Sequence, residues 1–259
     1  MRLLNRTRFC NLTGTDQVAA AFYGVLSLAL FVVSVALMVH SLYHGLQNSW
    51  GQLRGWTRTV TNLVLIAQFP ALHSALLSKS GRRALNRLAP RRIAQRLQPT
   101  TYVLIASLQL IAFFLLWTPS GEILWEPQGA ALAVPRACFA ASWVLLGISM
   151  WQGHLGVQLG YIGWLSVWKR LPSIAWPGLP TKGIYAVCRQ PIYFSFMLTL
   201  WTGPVWSADK LEVAVLWSLY CLIAPVLKER RQMRSYGEQF QEYRRNVPYW
   251  PGFKRSFSK

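Results

Sequence analysis

Six long apolar stretches, at roughly residues 17–39, 60–78, 101–118, 137–168, 190–206 and 211–227, hold almost no ionised side chain. A helix of about 20 apolar residues crosses a hydrocarbon core about 30 Å thick, and it does so with its own backbone N–H and C=O groups satisfied. The pattern therefore predicts an all-α integral membrane protein with about six transmembrane helices, the fourth ending near His154. With 53% hydrophobic and 14% charged residues, the chain is too apolar for a soluble domain of 259 residues.

The net charge of +19 would by itself suggest nucleic acid, but the placement of the cations decides against that partner. With the N-terminus in the cytoplasm, the loops on that side are 1–16, 79–100, 155–189 and 228–259. All but four of the 27 Lys and Arg then fall inside; the exceptions are Arg54, Arg58, Arg136 and Lys210. Glu122, Glu126, Asp209 and Glu212 fall outside. This positive-inside bias predicts that both termini are cytoplasmic and that the cations meet anionic lipid.

The first apolar run is followed by His40, Tyr43 and His44 rather than a small-residue cleavage site, so it reads as a retained helix. Asn5-Arg6-Thr7 and Asn11-Leu12-Thr13 fit a glycosylation pattern but lie on the cytoplasmic side of this topology. Cys10, Cys138, Cys188 and Cys221 are too scattered for a disulfide framework or a thiolate metal site. Residues 78–99 carry seven cations with Leu85, Leu88, Ile93 and Leu97 between them, which predicts two short surface helices broken at Pro90. Residues 155–182, apolar but broken by Gly and Pro, predict an interfacial segment or lid. Trp50, Trp56, Trp117, Trp125, Trp206 and Trp250 flank the spans as interfacial anchors.

Ala186 to Trp201 read AVCRQPIYFSFMLTLW, and Pro191 in that string marks a helix start, where its missing N–H has no partner to lose. Gln190 is then near the N-cap and Arg189 just outside. Gly203-Pro204 ends the helix, and residues 207–210 make a tight external turn into the next, so the two helices run antiparallel. Their inner ends, Arg189-Gln190-Pro191 and Lys228-Glu229-Arg230-Arg231, meet at the membrane border. Placed 100° apart, Glu229, Met233, Tyr236, Phe240 and Tyr243 share one face if the helix continues past Gly237, while Glu238 and Glu242 fall on the other. A helix N-terminus with Arg189 suits a carboxylate, Glu229 suits an ammonium, and the tyrosines suit a ring. S-adenosylmethionine is such a zwitterion. The alternative is that Arg189 and Glu229 simply pair and staple two helix ends.

The C-terminal third also resembles the integral-membrane methyltransferase family that includes the isoprenylcysteine carboxyl and phospholipid methyltransferases. Its Gly-x-Tyr, Arg-His-Pro-x-Tyr-x-Gly, Glu-Glu-Arg and Gly-x-x-Tyr-x-x-Tyr patterns are matched by GIY at 183–185, RQPIYFS at 189–195, KER at 228–230 and YGEQFQEYRRNVP at 236–248. Upstream, FPALHSALLS at 69–78 and PTTYVLIASLQLIAFFLLWTP at 99–119 resemble the methanethiol S-methyltransferase branch.

The resemblance implies one membrane domain, with helices one to four over 1–180 and a cofactor-binding block over 181–251. It implies S-adenosylmethionine as cofactor, held by Tyr185, Arg189, Gln190, Pro191, Tyr193, Glu229 and Tyr243, with Arg189, Glu229 and Arg230 in catalysis. Gln190 stands where the family has histidine, Lys228 where it has the first glutamate, and Ser195 where it has glycine. Glutamine hydrogen-bonds but does not exchange a proton near neutral pH.

The expected reaction is methylation of a small or hydrophobic thiol that reaches the site from the lipid. His73 and His154, ionisable residues inside membrane segments, are substrate-side candidates. Two other readings stay open: an NADPH-dependent membrane reductase of the sterol reductase type, and a non-enzymatic accessory protein that kept the fold. With no retention or lipidation signal in the sequence, a bacterial inner membrane is the expected residence.

Overall fold

The computed structural model of the chain describes residues 12–252. Cys10 and the asparagines of the two Asn-x-Thr sequences lie outside the described residues. In chain order the elements are α1 (Gly14–Tyr43), α2 (Gly55–Leu76), α3 (Lys79–Leu88), α4 (Ala94–Leu116), β1 (Ile123–Trp125), a 3-10 turn (Gly129–Leu132) and α5 (Ala133–Gln152). There follow α6 (Leu155–Gln158), α7 (Tyr161–Trp168), α8 (Ile184–Val187), α9 (Pro191–Trp201), β2 (Trp206–Ser207), α10 (Ala208–Tyr236) and α11 (Glu238–Asn246).

Among the described residues five helical stretches are long and apolar enough to cross a membrane: α1, α2, α4, residues 129–152 and α10. The fold is thus an all-α membrane protein, its two short strands pairing antiparallel at one end of the bundle. The fifth apolar stretch gives the shorter helix α9, flanked by α5 and α10. Lipid-facing side chains such as Val25 and Ile223 stay 68% and 64% exposed, so what holds the helices together is close packing and polar contact rather than water exclusion.

The centre is aromatic. Trp217 of α10 stacks against Phe113 at 4.6 Å and Phe69 at 5.6 Å, and its indole N–H donates to Ile66 O at 3.2 Å. Trp117, expected at an interface, is fully buried in this core instead, because the chain turns after Leu116 and folds the indole back onto Phe113.

The basic segment after α2 forms one short helix, α3, capped by the Ser78 hydroxyl. The second expected short helix is absent as a separate element, since α4 starts at Ala94 and runs on through Pro99. The glycine-rich segment explains why α4 starts so early. A Cβ at Gly160, where φ is +65°, would lie 2.5 Å from Pro99 O, and one at Gly163 would lie 2.7 Å from Arg96 O. Bare glycines therefore let α7 press on α4 at this point. Thr100 Oγ1 seals the contact by donating to Gly160 O at 2.7 Å, and Arg96 donates to the carbonyls of Ser166, Leu171 and Pro172. Arg96 thus caps the end of α7.

At 11 residues α9 is about 16 Å long, well short of a bilayer, and its C-terminal carbonyls need partners. Lys210 holds the turn that follows α9. Expected in an external turn, it sits instead in the first turn of α10, fully buried, donating to Thr202 O at 2.7 Å and Val205 O at 3.3 Å. Its neighbour Asp209 accepts from Gln47 Nε2 at 3.0 Å, from Ser120 N at 2.8 Å and from the Ser120 hydroxyl, and pairs with Arg58 at 3.4 Å. These two side chains tie the starts of α2 and α10 and the end of α9 into one polar plug.

Candidate active site

Pro191 opens α9 with Gln190 as its N-cap residue, as the proline predicts. This places Arg189 against α10, where its Nε donates to Glu229 Oε1 at 2.8 Å. Arg189 is 7% exposed, and its Nη1 also donates to Arg244 O at 3.0 Å and to Val247 O, so one guanidinium joins α9, α10 and the end of α11. Its own N–H reaches Pro248 O at 3.0 Å, and its plane lies 5.4 Å from the Tyr249 ring. Gln190, fully buried, donates from Nε2 to the same Glu229 Oε1 at 2.9 Å and accepts from Lys228 Nζ at 3.1 Å. Among the described residues no hydrogen bond reaches Glu229 Oε2.

Beside this junction is a cavity of about 830 Å³. Arg189, Glu229 and Arg230 line it, with Met233, Arg234 and Arg244 toward one end and Leu222 and Val226 toward the other. Leu222 and Val226 are 45% and 44% exposed, so the cavity wall is continuous with the apolar outer face of α10. Tyr249 and Trp250 close it from the C-terminal segment; Trp250, expected as an interfacial anchor, thus serves as wall, packed against Phe194 at 6.1 Å. Burial pushes the Tyr249 phenol up to about 12, with the Glu229 carboxylate adding to the effect.

Arg189 and Glu229 were expected as separate polar contacts for a ligand, yet they lie on one wall and bond each other. The pairing expected of a staple is therefore present together with a cavity. The helical phase expected beyond Tyr236 is broken, because Gly237 adopts φ +51° and ends α10. Restarting as α11, the chain still buries Phe240 and Tyr243 against Leu179, and leaves Glu238 and Glu242 outside.

Tyr185 and Tyr243 stand behind the cavity wall rather than in it. The Tyr243 hydroxyl donates to Tyr185 O at 2.6 Å, and the Tyr185 hydroxyl donates to Ser149 O at 3.2 Å. Burial raises both phenols. Ser195 Oγ turns back to Pro191 O at 2.7 Å. Tyr193 faces the bundle, its ring 5.6 Å from Lys228 Nζ. His73 stacks between Phe69 and Tyr102, at 4.9 Å from each, and His154 adopts φ +65° at the start of α6. Neither histidine lines the cavity, and neither His73 Nδ1 nor His154 Nε2 has a hydrogen-bond partner among the described residues. Sequence reasoning missed Leu222, Val226, Arg234, Arg244 and Tyr249 as lining residues. The spacing of 222, 226, 229 and 233 on one helix was the signal that could have found the first two.

No family model matches the sequence, and no solved structure matches it. Among curated proteins, the methanethiol S-methyltransferase of a Pseudomonas species is 30% identical over 192 residues, 73% of this chain and 71% of the relative. Methanethiol S-methyltransferase 2 of Bradyrhizobium diazoefficiens is 25% identical over 256 residues, covering 90% of this chain and 89% of its own. Nurim of Rattus norvegicus is 29% identical over 152 residues, 54% of this chain and 57% of the relative. With that identity and coverage on an all-helical membrane frame, the chain belongs to the methanethiol S-methyltransferase family, within the isoprenylcysteine methyltransferase-like membrane proteins.

Proposed function

We propose that this protein transfers a methyl group from S-adenosylmethionine to a small or hydrophobic thiol, in the cavity beside Arg189 and Glu229. The observation that carries the reading is Glu229, whose Oε2 has no hydrogen-bond partner among the described residues, on the wall of an 830 Å³ cavity that also presents guanidinium groups and aromatic rings. A carboxylate oxygen with no donor suits the ligand's ammonium, Arg230 and Arg234 suit its carboxylate, and Phe240, Tyr249 and Trp250 suit its adenine. The bound sulfonium supplies an already activated methyl group, so no metal or protein nucleophile is required.

The chain's own contribution is placement and exclusion of water. Arg189, held by Glu229 and two backbone carbonyls, fixes the Glu229 carboxylate in one rotamer. Gln190 holds the same oxygen from the other side. An apolar acceptor enters past Leu222 and Val226 from the lipid, which favours volatile or hydrocarbon-bearing thiols. The basic loops favour cytoplasmic termini and a cavity mouth on that side of a bacterial inner membrane. Incubation of the purified protein with methyl-labelled S-adenosylmethionine and a thiol panel tests the reading. Label in the thioether, reduced to background in Glu229→Ala, is the expected result; equal transfer in the two proteins overturns it.

A further inference from the structure

Two neighbouring strips run along α10. Leu222, Val226, Glu229 and Met233 share the sector that lines the cavity. With residues set 100° apart, Leu219, Ile223, Leu227, Arg230 and Arg234 fall within about 80° of one another in the next sector. Along this second strip the side chains change from apolar to cationic within one turn, between Leu227 and Arg230. Leu219, Ile223 and Leu227 are exposed on the outer face of the bundle. Arg230 and Arg234 are exposed as well, and both also line the cavity, so they form its rim. Arg244 of α11 reaches the same cavity from beyond the break at Gly237.

The ionised lining of the cavity is Arg189, Glu229, Arg230, Arg234 and Arg244, an excess of three positive charges. Glu229 is bonded to Arg189, and among the described residues Arg230, Arg234 and Arg244 pair with no carboxylate. The methyl donor does not balance this excess, because an ammonium and a sulfonium outweigh its one carboxylate. A second, anionic occupant does. That occupant carries hydrocarbon next to its charge, since the guanidinium groups continue a strip of exposed leucine and isoleucine. Guanidinium groups bond phosphate oxygens in pairs, which makes a phosphodiester the matching head. A choline or ethanolamine head would bring its own cation to a cavity whose single carboxylate is already bonded, so the charge selects an anionic headgroup over a zwitterionic one.

We propose that this rim binds one anionic phospholipid, its phosphate held by Arg234 and Arg244 and its acyl chain lying along Leu227, Ile223 and Leu219. The lipid is a resident ligand rather than a methyl acceptor, and it leaves the path past Leu222 and Val226 open. Arg230, between the two strips, remains for the donor's carboxylate. The lipid's effect on the donor rests on the methyltransferase reading above; the lipid site itself does not. Like charges in one cavity oppose each other, so a net cation enters more readily once the phosphate is in place. Linkage makes this reciprocal, and the donor tightens the lipid by the same factor. S-adenosylhomocysteine, which lacks the sulfonium charge, is helped less.

The test places the full chain in nanodiscs of phosphatidylcholine alone, or of phosphatidylcholine and phosphatidylglycerol at about three to one. Calorimetric titration is expected to give an S-adenosylmethionine affinity about tenfold or more higher in the anionic discs, with a smaller gain for S-adenosylhomocysteine. Surface potential alone also concentrates a cation near such discs, by about threefold. The paired variant Arg234→Gln/Arg244→Gln is therefore expected to keep only that part of the gain. Arg83→Gln/Arg87→Gln, which removes two exposed cations of α3, is expected to keep all of it. Inorganic phosphate added to the phosphatidylcholine discs at matched ionic strength is expected to do nothing; if it reproduces the gain, the rim takes a soluble anion and the lipid proposal is overturned. Native mass spectrometry of protein released from the mixed discs reads the lipid without any donor. One phosphatidylglycerol retained per chain, and lost in the paired variant, is the expected result. Should the paired variant not purify, Arg244→Gln alone carries the same comparisons. Equal affinity gains in all three proteins, or equal lipid retention with and without the arginines, overturns the proposal. Retained phosphatidylglycerol with no nucleoside binding in either disc overturns the cofactor reading instead and supports the lipid site, so the two failures are distinct.

Discussion

Arg189 Nε and Glu229 Oε1 meet at 2.8 Å across 40 residues of sequence, and that contact fixes how the proline turn of α9 sits on the end of α10. Both side chains are nearly buried, 7% and 12% exposed, so each depends on the other for its missing solvation. Removing one partner leaves a buried charge. Glu229→Ala or Arg189→Leu alone is expected to cost about 3 kcal/mol of stability, and the double variant less than the sum of the two. Denaturant titration in detergent of all four proteins measures the coupling, and strict additivity contradicts the paired geometry.

Lys210 has a stabilising role far from the cavity. Its ammonium reaches the carbonyls of Thr202 and Val205 in the turn that follows the short helix α9. Lys210→Met strands both oxygens and is expected to lose about 2 kcal/mol or more. Nucleoside affinity is expected to remain as in the parent, since no cavity residue contacts Lys210. Thermal unfolding with and without S-adenosylhomocysteine separates the two effects.

The close approach of α7 to α4 rests on Gly160 and Gly163. Gly160→Ala combines a positive φ with a Cβ 2.5 Å from Pro99 O, so the expected penalty is about 2 kcal/mol with no change in the lining of the cavity. An unchanged melting temperature would contradict the contact.

At high pH the Tyr249 phenol governs part of the stability. Its folded pKa, about 12, is raised above the ordinary phenol value chiefly by burial. Between about pH 10 and 12 the unfolded chain has lost this proton and the folded chain keeps it, so stability falls as pH rises through that window. Tyr249→Phe is expected to flatten the alkaline limb. It removes a hydroxyl with no hydrogen-bond partner among the described residues, so stability at pH 7 is expected to stay within about 1 kcal/mol.

Gln190 makes a separate pH prediction. The groups bonded to Glu229 are a guanidinium and an amide, neither of which exchanges a proton near neutral pH. Nucleoside affinity is therefore expected to be flat from about pH 6 to 9, and Gln190→His is expected to introduce an inflection in the histidine range. Isothermal titration at four pH values reads this directly.

The bundle itself was legible because the bilayer imposes a length and a polarity on every spanning helix, and α1, α2, α4 and α10 meet both. Pro191 announced the start of α9, and the RQP and KER strings announced that Arg189 and Glu229 belong to one junction. What periodicity could not carry was the effect of Gly237, whose positive φ resets the phase between Tyr236 and Phe240. Nor could it place Trp117 and Trp250, since an aromatic beside a span suits an interface or a core equally well until the backbone turns. Lys210 and Arg96 were read as loop charges for the same reason: a sequence shows where a cation sits along the chain but not which distant carbonyl it reaches. The Lys228–Gln190 contact joins two positions 38 apart and had no local signal at all.

Calorimetric titration of the purified protein with S-adenosylhomocysteine, repeated on Glu229→Gln, bears most directly on the junction as a methyl-donor site. Saturable binding at one equivalent per chain, weakened about tenfold or more once the carboxylate is neutralised, is the result this account requires. No heat of binding, or equal affinity in the two proteins, would contradict it.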